Sequence, residues 1–421
     1  MLTLDSALEF DPSRDEDFFT TLPAHPAVCL IEPKETSAQP LFIRTQDLRR
    51  RLQRLLGPLD SSSKRLNLRD FAKSIRYRIT ASAFEQTFAY YQNARELFPD
   101  RYQEMLRIRP PAVLKVNLRN AYPRCYATRK IPIASNGAPS GGVYYGPFPS
   151  RKAADAFAER ALDLFKVRHC QIKIRRDPTF PGCIYSEMKM CLAPCFAGCT
   201  KEEYDVEVQR LVAFLETGGA SLRENLEAER NQSSEEMDFE KAALLHKKLD
   251  KLDDALRGQP ELPRRLQDLN AIILQRGRAD QSISVYEVRG GKIAEPFELT
   301  FVTLAGDPRS AEQLLRQHLE PNGIVEPNPV IIPSEARNLS SPTARTSQAD
   351  LSEHLWLLAR WFYSNPRQGE IFFRGNAWPY RKMMRACARL LAPPEDQPQT
   401  QSGKPHENNS PQSGGKRENN S

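Results

Sequence analysis

The chain has 421 residues, with 60 Lys and Arg against 53 Asp and Glu, a formal charge of +7. That length holds two or three domains, and a pI near 8.9 suits nucleic acid or acidic partners without requiring them. No stretch approaches the roughly 18 apolar residues of a membrane span, and the acidic opening MLTLDSALEFDPSRDEDFF has no signal-peptide core, so the expectation is a cytoplasmic protein with no membrane partner.

Residues 1–19 read as an N-terminal extension and residues 20–115 as a small mixed domain. AVCLIEP and PLFIRT are short β-rich runs, and TQDLRRRLQRLLG has helical spacing that stops at Gly57. SAFEQTFAYYQNARELF is a second helix with Phe84, Phe88 and Tyr91 on one face. Residues 116–200 form a linker and Cys-rich region: a basic strand, the turn-rich SNGAPSGGVYYGPFPS, the amphipathic RKAADAFAERALDLF and then the cysteines. Residues 201–257 are helical. Thr200 with Glu203 and Ser233 with Glu236 each make a capping box, and LRENLEAERNQ with EEMDFEKAALLHKKLDKLDDAL pair as an antiparallel hairpin. Residues 258–393 carry strands at NAIILQ and ISVYEV and a helix at LSEHLWLLARWFYS. A Pro/Ser/Asn-rich insertion at about 321–350 and the tail 394–421 read as disordered.

Four of the eight cysteines fall in CIYSEMKMCLAPCFAGC, residues 183–199. Eight are too few for a disulfide framework in so long a chain, and clustered thiols in a reducing compartment point to a metal or redox group. Cys170, Cys183, Cys191 and Cys195 make the pattern C-x12-C-x7-C-x3-C. Structural zinc sites use tighter pairs, whereas iron–sulfur clusters accept less regular spacing. Spacing alone leaves zinc, iron–sulfur and unlinked cysteines open, with Cys199 a bystander or a fifth ligand. Lys166, Arg168, Lys173, Arg175, Arg176 and Lys189 flank the set and would offset thiolate charge.

The composite of Tyr144–Pro147, the helix ending in Arg168-His169-Cys170, and MKMCLAPC at Met188–Cys195 resembles the central part of the UvrC excinuclease family. The resemblance covers roughly residues 20–300 and is strongest over 141–256. It implies a [4Fe-4S] cluster on Cys170, Cys183, Cys191 and Cys195, with zinc as the runner-up. It also implies DNA as a partner, and UvrB bound through a UVR-like hairpin by Phe239, Glu240 and Ala243. The fold class is then α+β multidomain: a GIY-YIG-like mixed α/β N-terminal domain, a Cys-rich helical segment, the hairpin and a C-terminal α/β remnant.

The same resemblance exposes departures. Ala27 and Cys29 stand where the family has the glycine and tyrosine of its first nuclease motif. Phe42, Ile43 and Arg44 replace the second motif, and Tyr90 takes the metal-binding glutamate position, with Glu85 one and a half turns away. Only Arg51 keeps a catalytic position. A phosphodiester nuclease needs an activated nucleophile, a metal carboxylate and a cation, so the domain is expected not to cut; Mg²⁺ or Mn²⁺ would matter only if it did. Arg44, Arg49, Arg50, Arg54, Lys64 and Arg65 could still hold phosphate. His246-Lys247 replaces the usual arginine–aspartate pair of the hairpin. Neither the acidic motif of a second nuclease nor a glycine-rich duplex-binding repeat follows, and no small-molecule substrate is evident.

Overall fold

The computed structural model describes residues 2–58, 66–135, 137–301, 310–320 and 343–392, apart from the side chains of residues 16 and 343–349. The strands β1 (Ser6–Glu9), β2 (Ala27–Pro33), β3 (Leu41–Thr45) and β4 (Ala72–Ile79) pair antiparallel in the order β1-β4-β2-β3. The residues expected as an extension thus join the sheet, with Leu8 opposite Ile75. Strand β4, AKSIRYRI, went unread in the sequence although it alternates: Ile75 and Tyr77 are buried, and such alternation marks a half-buried strand. Helix α1 (Asp15–Thr21) and helix α2 (Leu48–Leu56) cover one face through Phe18, Leu48, Leu52 and Leu55. Asp47 starts α2 by accepting from Arg50 N–H at 2.9 Å. Helix α3 (Ala83–Leu97), capped by Ser82, lies on the other face, followed by the short α4 (Tyr102–Leu106).

The second sheet takes β5 (Ala112–Val116), β6 (Cys125–Thr128), β7 (Val143–Phe148) and β8 (Arg264–Arg265) in the order β6-β5-β7-β8. The expected boundary at 115 therefore cuts through β5, and the segment taken as turns contains β7. Helix α5 (Arg151–Leu162) packs Ala154, Phe157 and Ala161 on this sheet. A short helix α6 (Ile184–Glu187) lies in the Cys-rich segment. Helix α7 (Lys201–Thr217) starts at the Thr200–Glu203 capping box and ends at Gly218, in the left-handed region at φ +60°. Gly219 takes φ +93°, and a Cβ there would come within 2.7 Å of the end of the Leu256 side chain. The chain turns there into α8 (Ala220–Glu235), which pairs with α9 (Phe239–Leu256). The hairpin is as expected; the second capping box is not. Ser233 lies inside α8 and donates to Glu229 O, and Asp238 caps α9 instead, accepting from Lys241 N–H at 3.0 Å. The turn is three residues long, so a cap at Ser233 would have broken α8 a turn early.

The third sheet comprises β9 (Ala271–Arg276), β10 (Ser282–Arg289), β11 (Lys292–Ile293), β12 (Phe297–Thr300) and β13 (Glu370–Phe373). The order is β11-β10-β9-β13, with β12 also on β10. Helices α10 (Ala311–Leu319) and α12 (Tyr380–Leu391) cover one face. Helix α11 (Thr343–Phe362) covers the other and begins eight residues before the expected Leu351; the rest of the expected insertion, 321–342, and the tail lie outside the described residues.

One core joins the first and third sheets. Phe84 meets Tyr286 edge-on at 4.9 Å and Trp361 at 5.6 Å, and Val28, Phe88, Leu355 and Leu358 fill the same cluster. Each such side chain contributes roughly 1.5–3 kcal/mol by burial, so the N- and C-terminal units stabilise one another.

Candidate functional site

The nuclease-like positions come together but are closed off. Cys29 pairs with Ile43 across β2 and β3, is fully buried, and its thiol is pushed far up by desolvation. Tyr90 stacks on Phe42 at 4.6 Å and donates to Phe42 O at 3.3 Å. Burial raises its pKa, with Arg44 opposing. Glu85, 4% exposed, is fully engaged. One oxygen accepts from Ala81 N–H at 2.8 Å. The other faces Arg78 at 3.4 Å and Arg278 of the C-terminal unit at 3.5 Å. A carboxylate held by two guanidiniums has its charge already balanced, which disfavours a metal beside it.

The basic residues divide. Arg49 donates through Nε to Leu22 O at 2.6 Å, closing the end of α1. Arg50 and Arg54 are exposed on α2, Arg51 is half-buried, and Arg44 lies 5.7 Å from the Tyr90 ring. Lys64 and Arg65 lie outside the described residues.

The Cys-rich segment is built on Arg168, whose buried guanidinium donates to Tyr122 O at 2.9 Å and Ile172 O at 2.7 Å, while the Arg168 backbone N–H donates to Tyr204 Oη at 3.1 Å. Cys183 precedes α6, and its N–H donates to Ser186 Oγ at 2.9 Å. Lys189, Ala193 and Ala197 take positive φ around Cys191 and Cys195, and Ala193 N–H points at Cys191 Sγ, 3.3 Å away. The four thiols are near enough to feel one another. Burial raises the Cys191 thiol to about 11, and Cys170, Cys195 and Cys183 add to that rise. Yet among the described residues no three His, Cys, Asp or Glu side chains are arranged to hold a metal ion. The two observations pull apart: the sulfurs gather without closing on one ion. Their chemistry, four free thiols with backbone N–H groups nearby, suits a thiolate-ligated centre. Cys199 is buried in the core of the second unit and its carbonyl accepts from Arg176 at 3.0 Å.

On the hairpin, Leu245, Leu249 and Leu252 of α9 are buried, with Leu222 and Leu226 of α8 in the same core. Glu240 and Ala243 are exposed, as are the apolar Met237, Phe239 (69%) and Leu244.

Sequence reasoning missed Glu353, Arg278, Arg360 and Trp361. The signal for Glu353 was a charge inside the apolar run LSEHLWLLARWF; the others lie on elements whose neighbours only folding reveals.

Residues 112–214 match the family model described as UvrC/Cho excinuclease, middle domain. Among relatives, the UvrABC system protein C of Chlamydia caviae is 26% identical over 386 residues, 88% of this chain and 62% of its own length. That of Ruminiclostridium cellulolyticum is 30% identical over 182 residues, 43% of this chain and 28% of the relative. That of Leptospira biflexa is 26% identical over 226 residues, 53% of this chain and 36% of the relative. The chain thus spans about three-fifths of the Chlamydia caviae relative, and that match reaches beyond the span of residues 20–300. No solved structure matches. Among the described residues no helix is long and apolar enough to cross a membrane.

Proposed function

We propose that this chain, a UvrC-like family member, serves nucleotide excision repair by binding DNA and UvrB, while its N-terminal GIY-YIG-like unit does not cut. The observation that carries this reading is Glu85. It is the carboxylate one and a half turns from Tyr90 on α3, and both its oxygens are occupied, by Ala81 N–H and by Arg78 and Arg278. The other changed positions are equally closed, with Cys29 buried at the lost tyrosine position and Tyr90, at the metal-glutamate position, stacked on Phe42.

UvrB binding is supported by the hairpin tip. Met237, Phe239 and Leu244 are more than 60% exposed on a hairpin whose opposite face is packed, and an exposed aromatic among apolar neighbours is the usual anchor of a partner contact. DNA binding is supported by the exposed Arg50 and Arg54 and by the net charge of +7. Cys170, Cys183, Cys191 and Cys195 are the residues we assign to a [4Fe-4S] cluster. Bound there, it would cross-link the segment and offer a one-electron couple, with the Arg168 guanidinium 4.0 Å from Cys170 Sγ.

The test is a reconstituted incision assay on lesion-bearing plasmid with UvrA, UvrB and Mg²⁺ or Mn²⁺, run beside capture on immobilised UvrB. Capture without incision is the expected result. Incision that disappears in Arg51→Ala and in Glu85→Gln would overturn the non-cutting reading, and an absence of capture would overturn the partner assignment.

A further inference from the structure

The junction of the N- and C-terminal units forms a half-open cavity of about 590 Å³, within the range of small-molecule sites. Its lining combines Arg44 of β3 and Arg360 near the end of α11 with the apolar Phe84, Leu357 and Trp361 and with Gln46. No carboxylate lines it, and neither arginine pairs with one among the described residues. Each guanidinium instead faces a ring, Arg44 over Tyr90 and Arg360 over Trp356, both at 5.7 Å. Elsewhere the molecule neutralises its interdomain cations: Arg278 has Asp5 and Glu85, and Arg95 has Asp350.

Two uncompensated guanidiniums supplied by different units and lining one partly apolar cavity make a receptor for an anion that carries an apolar body. We infer that this cavity binds a nucleotide, the arginines taking the phosphate and the apolar lining residues taking the base. The inference deepens the DNA-binding part of the proposed function and rests on it. It places a contact to DNA on α11, far in sequence from the basic helix α2. A free nucleotide and a nucleotide within a single strand present the same chemistry, and the test separates them.

The full chain is titrated with a fluorescently labelled single-stranded oligonucleotide, and the complex is then challenged with dAMP or inorganic phosphate. Arg44→Gln and Arg360→Gln are each expected to weaken binding about tenfold and to lower the salt slope by roughly 0.7–1. Arg257→Gln, which removes an exposed charge at the end of α9, should leave both unchanged. Thermal melting of each variant at the parent's temperature shows that the fold is kept. Competition by dAMP supports a site that also takes free nucleotides; oligonucleotide binding that is sensitive to both arginines but resists dAMP supports strand capture. Binding unaffected by either substitution overturns the inference, as does phosphate competing as well as dAMP. UvrB capture, measured on the same variants, reports on the proposed function separately: its loss in the parent chain sinks that reading whatever the oligonucleotide does.

Discussion

Glu353 and Tyr91 are 262 residues apart in sequence and 2.7 Å apart in the fold, the carboxylate accepting the phenolic proton. The other oxygen of Glu353 accepts from Tyr102 Oη and Gln103 Nε2, both at 2.7 Å. The carboxylate is 2% exposed, and burial is tolerable because three donors replace its water. Both tyrosine pKa values are raised, first by burial and also by this carboxylate. The contact fixes α11 against α3 and α4, and α3 and α11 both line the cavity.

Glu353→Ala should leave two buried phenol donors, Tyr91 and Tyr102, unsatisfied and destabilise the chain by about 2–4 kcal/mol, with Glu353→Gln losing less. Urea unfolding followed by tryptophan fluorescence measures this. An unchanged midpoint for the alanine variant would mean that the two units are not held together here.

His354, the next residue, should give the fold an acid sensitivity. Its Nδ1 accepts Ile293 N–H at 2.8 Å. Burial, opposed by Asp350 and aided by Arg95 and Lys292, holds its pKa down at about 4, below the roughly 6.5 of an unfolded histidine. Between those values the unfolded chain takes up a proton that the folded chain refuses, so stability is present above about pH 6.5 and lost as pH falls towards 4, on the order of 2–3 kcal/mol in all. Melting temperatures recorded from pH 7.5 to 4.5 should fall less steeply for His354→Asn than for the parent. Parallel curves would show that this histidine does not set the slope.

Phe239→Ala should cost less than about 0.5 kcal/mol of stability, because the ring is 69% exposed. Yet it should weaken UvrB capture by about 2 kcal/mol, roughly thirtyfold, if the ring is the anchor. Equal affinity of the two proteins in a binding titration would move the contact elsewhere.

Replacing Cys170, Cys183, Cys191 or Cys195 singly with serine should abolish visible absorbance and bound iron after anaerobic purification. Cys199→Ala should keep both while losing about 1 kcal/mol of stability for its buried sulfur. A colourless parent holding one equivalent of zinc would replace the cluster assignment.

The local signals in the sequence were sufficient for what neighbours along the chain decide. Gly57 closed one helix, Thr200 with Glu203 opened another, and the two amphipathic runs LRENLEAERNQ and EEMDFEKAALLHKKLDKLDDAL declared a paired hairpin. These are interactions within one or two turns, so sequence spacing alone determines them. The cysteine pattern and the changed nuclease positions were equally plain, because each is a matter of residue identity. Tertiary structure alone decided where β1 would pair, whether Glu85 would be free, and what Arg360 and Trp361 would face. Arg278 reaches Glu85, and Glu353 reaches Tyr91, across more than 190 residues. No spacing rule encodes such pairs: it is burial of the shared apolar core that brings their elements together, and desolvation then forces each polar group to find its partner.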